Sequence, residues 1–533
     1  MYLVSKSIHQ LERFRRQLMI FFAVLGPGII VMIADNDAGG IATYAFTGSK
    51  YGFSLLWIFI ILVPMAYYVQ EMTVRLGAVT KRGHAEAIFE GFGPFWGWFS
   101  LADLAIVNWL TLITEYIGMI IAGQMFGIPP IWTFLGVTLI LFLVVLTGKY
   151  WTFEKLTLFF CAFNLVYIPA AFWAMKAPTA PSWGLVGKGL LVPNLGGGGL
   201  SGEIIFVLLA NIGTTIAPWM IFFQQSAVVD KGLDIHDIKF GKMETFVGSL
   251  LTCIVAVFII ITTAAALHHH NPPIVMEKVN EAAAALTPLI PHGETARKLF
   301  AIGLFDAGFL GALCISLSSS WAVGEVFGWA HSLNKSVKDA PWFYVVYLGM
   351  LLSSGFVAMI SSDATQQIIT MFVQVVAVTL LPTALVFLIL ILNDEQFMGK
   401  HVNTRWENIA NWSIVIFVTF MSTLFAVSTL FPGFLEGLRP VPKPSGAATT
   451  QGGMLRQEGP AGRCSSSFKG TDAVERPPCA VPSGWGGGRH LAASGSDCLE
   501  PLCSPRLPCG TPPGAPSAAR GGSGTGRLFR RAA

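Results

Sequence analysis

The chain has 533 residues, 53% hydrophobic and only 12% charged, with a formal net charge of +4. A soluble domain carries about 25% charged residues, so most of this surface does not face water. So small a net charge gives no argument for a nucleic-acid partner, and Met1 to Gln17 is polar and basic, with no small-residue cleavage site before the first long apolar stretch.

Apolar stretches long enough to cross a bilayer, which takes roughly 20 residues each, recur along the chain. Eleven are predicted, near 18–50 (interrupted), 53–74, 95–126, 131–148, 154–175, 202–229 (interrupted), 244–267, 299–328, 342–361, 365–393 and 411–432. Lysine and arginine alternate between the loops. Lys6, Arg13, Arg15 and Arg16 precede the first span. Lys81 and Arg82, Lys149 and Lys155, Lys231, Lys239 and Lys242, Lys335 and Lys338, and Lys400 and Arg405 follow in every second loop. Basic loops stay on the cytoplasmic side, which places the N-terminus inside and, with an odd span count, the C-terminus outside. The reading is an integral protein of a bacterial cell membrane. Its parts are a cytoplasmic segment 1–17, a first repeat 18–175, an extracytoplasmic loop 176–201, a second repeat 202–393 and a loop with the eleventh span over 394–432.

From 438 to 533 the chain turns to Gly, Pro, Ser and Arg without an apolar period, and such a segment cannot bury enough surface to offset its ordering entropy. It is expected to be disordered and dispensable. Five of the eight cysteines lie there, without zinc spacing to histidines. The other three, Cys161, Cys253 and Cys314, fall in apolar spans and read as packing residues.

Two spans carry residues that a membrane helix does not tolerate in its middle. The first holds Ala34-Asp35-Asn36-Asp37-Ala38-Gly39-Gly40. Asp is a poor helix-interior residue and Gly costs about 1 kcal/mol against Ala, so the helix is predicted to unwind there. The sixth holds Asn211-Ile212-Gly213-Thr214-Thr215-Ile216-Ala217-Pro218-Trp219. Pro218 removes a donor and clashes with the carbonyl four residues back, at Thr214. A lone Pro or Gly often gives a mere kink, but a mid-span Asp is functional by default. Interrupted helices at matching places in two halves mark a transporter's binding site. Unwound carbonyls with a carboxylate make a hard, oxygen-rich cation site.

At these two segments the chain resembles the Nramp family of divalent-metal transporters. The family reads Asp-Pro-Gly-Asn in its first span, where Asp37-Ala38-Gly39-Gly40 stands here, and Met-Pro-His in its sixth, where Ala217-Pro218-Trp219 stands here. Gly26-Pro27-Gly28 and Ile41-Ala42-Thr43 fit the same frame, and Gln374-Val375-Val376 with Pro382 looks like the family's tenth-span glutamine segment. The resemblance covers roughly 18 to 432. It implies an all-α polytopic membrane protein of the LeuT-type fold, with two inverted five-helix repeats plus an eleventh helix, and with the first and sixth helices broken. It also implies a metal site at Asp37, the carbonyls of Ala34 and Thr214, the positions of Gly40 and Ala217, and Gln374. Asp35, Asn36, Gly39, Asn211, Gly213, Pro218 and Trp219 would shape the breaks, and Glu115 would lie on an ion or proton pathway.

The departures set the expected cargo. The family's Asn has become Gly40 and its Met has become Ala217. A thioether favours softer transition metals, and without it a wider, oxygen-lined site suits a Mg²⁺ ion that keeps several waters. This pattern is similar to the Nramp-related magnesium transporters. The third span keeps Glu115 but has Leu112 where the family places a second acid, and no Lys or Arg occurs between Trp342 and Met398. The expectation is Mg²⁺ and also Mn²⁺ import by alternating access without obligatory proton coupling. The metal is a substrate, and no cofactor or nucleic acid is expected; the bilayer is the surrounding partner, and the sequence leaves the oligomeric state open. Alternatives are a proton-coupled Mn²⁺/Fe²⁺ transporter of the ordinary Nramp type and a Na⁺-coupled organic-solute symporter on the same fold. No catalytic constellation supports an enzyme. His268-His269-His270 reads as an exposed interfacial cluster, Ser318-Ser319-Ser320 as a helix-packing face, and Trp57, Trp96, Trp98 and Trp132 as interface anchors.

Overall fold

A computed structural model describes residues 26–176, 180–196, 199–270, 272–276 and 293–431. Segment 1–17, the start of the first span, loop residues 277–292 and the tail with its five cysteines lie outside the described residues. Within the unit Met1–Ser445, every regular element among the described residues is helical.

The first span is split into α1 (Pro27–Ala34) and α2 (Ala38–Tyr51). Pro27 opens α1 at a position where its missing N–H costs nothing. Then come α3 (Trp57–Thr80), a short α4 (His84–Phe92), α5 (Pro94–Met125) and α6 (Pro130–Val145). The fifth span joins α7 (Tyr150–Cys161) to α8 (Tyr167–Ala174) through a 3₁₀ turn at Ala162–Val166. After a short α9 (Trp183–Leu191), the sixth span is split into α10 (Gly202–Gly213) and α11 (Pro218–Lys231). The chain continues through α12 (Ile238–Thr263), α13 (Gly293–Phe327), α14 (Pro341–Ile360), α15 (Asp363–Leu392), a single turn α16 (Glu395–Met398) and α17 (Arg405–Leu430).

Nine helical stretches among the described residues, with α7–α8 and α10–α11 counted as one each, are long and apolar enough to cross a membrane. The split first span and the shorter apolar α6 complete the predicted set. Large apolar side chains such as Leu139, Phe159 and Phe420 are exposed on the outer faces, where lipid rather than water suits them. Trp96, Trp98 and Trp132 are exposed as well.

Two short helices, α4 and α9, had no expected counterpart. Helix α4 is anchored by a partner far away in sequence. Glu325 of α13 accepts hydrogen bonds from the N–H groups of Ala85 (3.1 Å) and Glu86 (3.4 Å), occupying donors that a helix start leaves free. The histidine cluster is half-buried rather than exposed. Gly52 ends α2 at φ 58° and has no side chain, so the His268 ring packs directly against it, with Nδ1 3.2 Å from the Ser49 carbonyl. Ser318 and Ser319 are buried against α5, where the Asn108 amide donates to both hydroxyls, at 3.3 and 2.9 Å.

Candidate metal centre

Both sequence-predicted breaks occur where the residues place them, and each is built by withdrawing one donor. In an uninterrupted helix the N–H of residue 38 would bond the carbonyl of residue 34. Here the Ala38 N–H donates instead to Glu115 Oε2 of α5 at 3.0 Å. In the sixth span the donor for the Thr214 carbonyl would come from residue 218, which is Pro218 and has none. Ala34 and Thr214, the two carbonyls singled out by resemblance, thus each lose their helical partner. Among the described residues the Thr214 carbonyl keeps only a long contact of 3.4 Å from the Tyr44 hydroxyl, which also lies 3.1 Å from Thr215 Oγ1. Tyr44 ties α2 to the second break and was not anticipated, although it lies one helical turn beyond Gly40 in the sequence.

Asp37 caps α2. Its Oδ1 accepts from the Gly40 N–H at 2.6 Å, and its carboxylate stands at the positive end of a 14-residue helix. Thr114 Oγ1 donates to Glu115 Oε1 at 3.1 Å. Glu115 therefore holds the first break open. On the other side of the break, the Asn36 amide donates to the Thr252 carbonyl (3.3 Å) and Thr252 Oγ1 (3.1 Å) of α12, and the Thr252 hydroxyl donates to the Met32 carbonyl. Asp35 Oδ2 and Asn36 Oδ1 are buried with no hydrogen-bond partner among the described residues.

Small residues let the surrounding spans close in. A Cβ at Gly311 would lie 2.6 Å from Glu115 Oε2 and 3.1 Å from the Asp37 Cβ, and one at Gly308 would lie 2.8 Å from the Glu115 carbonyl. Gln374 of α15 sits where both breaks meet. A Cβ at Gly39 would strike its amide nitrogen, and a Cβ at Gly213 would strike its backbone carbonyl. The Gln374 Nε2 is buried without a hydrogen-bond partner among the described residues, and rotation of the amide presents its oxygen instead. Because backbone cannot step aside cheaply, Gly213→Ala is expected to cost about 1–3 kcal/mol by overpacking. It should lower both the melting temperature of the purified protein and its metal uptake; an unchanged melting temperature would contradict the packing described.

The remaining predicted residues take supporting places. Asn211 donates to Thr47 Oγ1 (2.8 Å) and to the Val207 carbonyl (2.7 Å), and its own carbonyl accepts from both threonine hydroxyls of the break. Trp219 is fully buried, and its indole N–H has no hydrogen-bond partner among the described residues. Ala217 presents no side-chain ligand, but its N–H donates to the Met220 sulfur at 3.3 Å, so a thioether does lie at the second break. Glu244 of α12 accepts from the Gly26 and Ile29 N–H groups, capping the start of α1. Thr252, Glu244 and Met220 were not foreseen as partners of the breaks. The first two lie more than 200 residues from what they hold, and only the fold brings them together.

Asp35, Asn36, Asp37, Thr214, Ala217 and Gln374 are each 4% exposed or less, so this conformation closes the centre off. Among the described residues no Lys or Arg forms an ion pair with Asp35, Asp37 or Glu115. Nor do three His, Cys, Asp or Glu side chains converge as a preformed metal cage. A cation held here would rest on one or two carboxylates, freed carbonyls and water.

A family model described as natural resistance-associated macrophage protein-like matches residues 28–428. The chain belongs to the Nramp family. It is therefore a membrane transporter and not an enzyme. It is similar to the divalent metal cation transporter MntH of Listeria innocua, 27% identical over 447 residues that cover 80% of this chain and 93% of that protein. It is also similar to the metal transporter Nramp3 of Oryza sativa subsp. japonica, 26% identical and covering 76% and 74% of the two chains. Among solved structures it is similar in fold to the Eremococcus coleocola manganese transporter, with a TM-score of 0.63, 22% identity and coverage of 79% and 89%. These matches agree with the LeuT-type arrangement of a Nramp chain.

Proposed function

We propose that this Nramp-family chain imports divalent metal cations, Mg²⁺ foremost and Mn²⁺ with it, by alternating access and without obligatory proton co-transport. The N-terminus lies in the cytoplasm and the C-terminus outside a bacterial cell membrane. The ion is held by Asp37, the Ala34 and Thr214 carbonyls and Gln374, with Asp35 adding charge. One observation carries this reading. The first break buries Asp35 and Asp37 at 3% exposure or less beside the freed Ala34 carbonyl, with no cationic side chain paired to either carboxylate among the described residues. Buried carboxylates without a counter-charge are costly, and a divalent cation supplies it. The MntH relatives, named divalent metal cation transporters, support the same class of cargo.

Mg²⁺ follows from what faces the ion. No side-chain ligand is offered at Gly40 or Ala217, which leaves room for the waters that Mg²⁺ retains. The Met220 sulfur favours the second reading, a Mn²⁺ carrier of the ordinary Nramp type. In our reading that sulfur is occupied as a backbone acceptor. Met220→Leu should accordingly leave the Mg²⁺ to Mn²⁺ preference unchanged in a competition uptake assay; a fall in Mn²⁺ transport alone would make the thioether a ligand and favour the second reading. Proton coupling is tested with proteoliposomes holding this protein and a pH dye inside. An inward Mg²⁺ gradient should give Mg²⁺ entry with no internal acidification. Acidification in proportion to Mg²⁺ entry would overturn the uncoupled mechanism.

A further inference from the structure

One of the buried carboxylates outside the metal centre, Asp306, lies inside a membrane-spanning stretch. Asp306 is 5% exposed and lies on α13 about 200° around the helix from Gly308, the residue that packs against Glu115. It is nine residues beyond Arg297, the start of the apolar stretch, which puts it roughly 13 Å along the helix axis. Asp306 lines a cleft of about 450 Å³ between α5, α6, the fifth span and α13. The other walls are almost wholly apolar, with Trp132, Phe160, Phe163, Phe305 and Phe309 prominent. Trp132 and Phe163 are exposed on the lipid-facing surface, so the cleft opens toward the bilayer.

The polar groups behind the carboxylate show why it persists at this depth. The fifth span breaks into a 3₁₀ turn at Ala162–Val166, and Asn164 in that turn donates to Asp306 Oδ2 at 3.2 Å. That amide is the one side-chain hydrogen bond to Asp306 among the described residues, and no Lys or Arg lines the cleft. An ionisable group inside a membrane protein calls for a partner. Here the described residues supply an amide and an aromatic wall but no cation.

We propose that this cleft is a binding site for a lipophilic amine that enters from the bilayer, its ammonium pairing with Asp306 and its apolar body filling the aromatic cleft. The Phe160, Phe305 and Phe309 rings add cation–π attraction; Phe160 and Phe309 have centroids 4.9 Å apart and Phe305 stacks on Phe309 at 6.5 Å. A volume of about 450 Å³ suits a small-molecule ligand. An aminophospholipid fits poorly, because its phosphate would be buried in a cleft with no basic residue.

The test uses the purified full chain in lipid nanodiscs and a dansyl-labelled alkyl primary amine. The comparison probe is the same molecule N-acetylated, which keeps the body and removes the charge. The wild type should bind the amine at least about tenfold more tightly than the amide, and Asp306→Asn should erase that preference. Gly136 lines the cleft and has nothing within 4 Å of where a Cβ would stand, so Gly136→Phe should fill the space and abolish binding of both probes without touching the carboxylate. Equal binding of amine and amide by the wild type would overturn the proposal. So would a preference that survives Asp306→Asn, or binding that survives Gly136→Phe. Should Asp306→Asn fail to fold, the wild-type comparison and Gly136→Phe still decide the question.

Discussion

Asp37→Ala is expected to abolish saturable Mg²⁺ uptake, with a loss of about a hundredfold or more, because removing one member of a buried charge pair costs about 3–5 kcal/mol. The residue holds two roles that must be separated. Its Oδ1 caps α2 through the Gly40 N–H, and its charge is the proposed ligand. Asn is as good a cap as Asp, whereas replacing a cap by Ala costs about 1 kcal/mol. Asp37→Asn should therefore keep a near-native melting temperature and still lose uptake, while Asp37→Ala should lose uptake and some stability. Normal Mg²⁺ uptake by Asp37→Asn would remove the carboxylate from the site.

The second large effect concerns selectivity. Ala217→Met together with Gly40→Asn restores the two side chains that the wider family offers, a thioether and an amide. The pair should shift preference from Mg²⁺ toward Mn²⁺ by about tenfold in competition uptake. The two changes are not equally easy. A Cβ at Gly40 would lie 3.2 Å from Asp37 Oδ1 and 3.3 Å from the Asp35 carbonyl, tight enough that the cap must give slightly. Ala217→Met introduces its sulfur beside the one that Met220 already directs at the Ala217 N–H. Gly40→Asn alone is thus expected to lower stability, and Ala217→Met alone to carry most of the selectivity change. If the folded double variant kept the wild-type Mg²⁺ to Mn²⁺ ratio, the ligand-softness argument would fail.

The breaks were legible in the sequence because their causes are local. Pro218 lacks an N–H wherever it stands, and Asp35, Asn36 and Asp37 in one apolar stretch cannot continue a membrane helix cheaply. The spans were legible for the same kind of reason, since a run of apolar residues sets its own length. What the sequence hid was the means by which each break is held. Glu115 was visible as a lone mid-span acid, but its acceptance of the Ala38 N–H depends on α5 lying against α2. Thr252 and Glu244 are ordinary residues of a seventh span until the fold sets them beside Asn36 and Gly26. Met220 is three residues from Ala217, yet its relevance depends on the half-helix starting at Pro218 and turning the sulfur back. Helices α4 and α9, at nine residues each, are too short for span-length hydropathy to register.

The central claim is that a divalent ion sits between the two breaks against Asp37. The most direct test is diffraction from crystals soaked in Mn²⁺, at a wavelength where manganese scatters anomalously. We expect one dominant anomalous peak between the two breaks, within about 5 Å of the Asp37 carboxylate, a distance that allows one bridging water. The same peak should be absent in Asp37→Ala crystals. A dominant peak elsewhere in the molecule, or one at the breaks that persists without the carboxylate, would contradict the account.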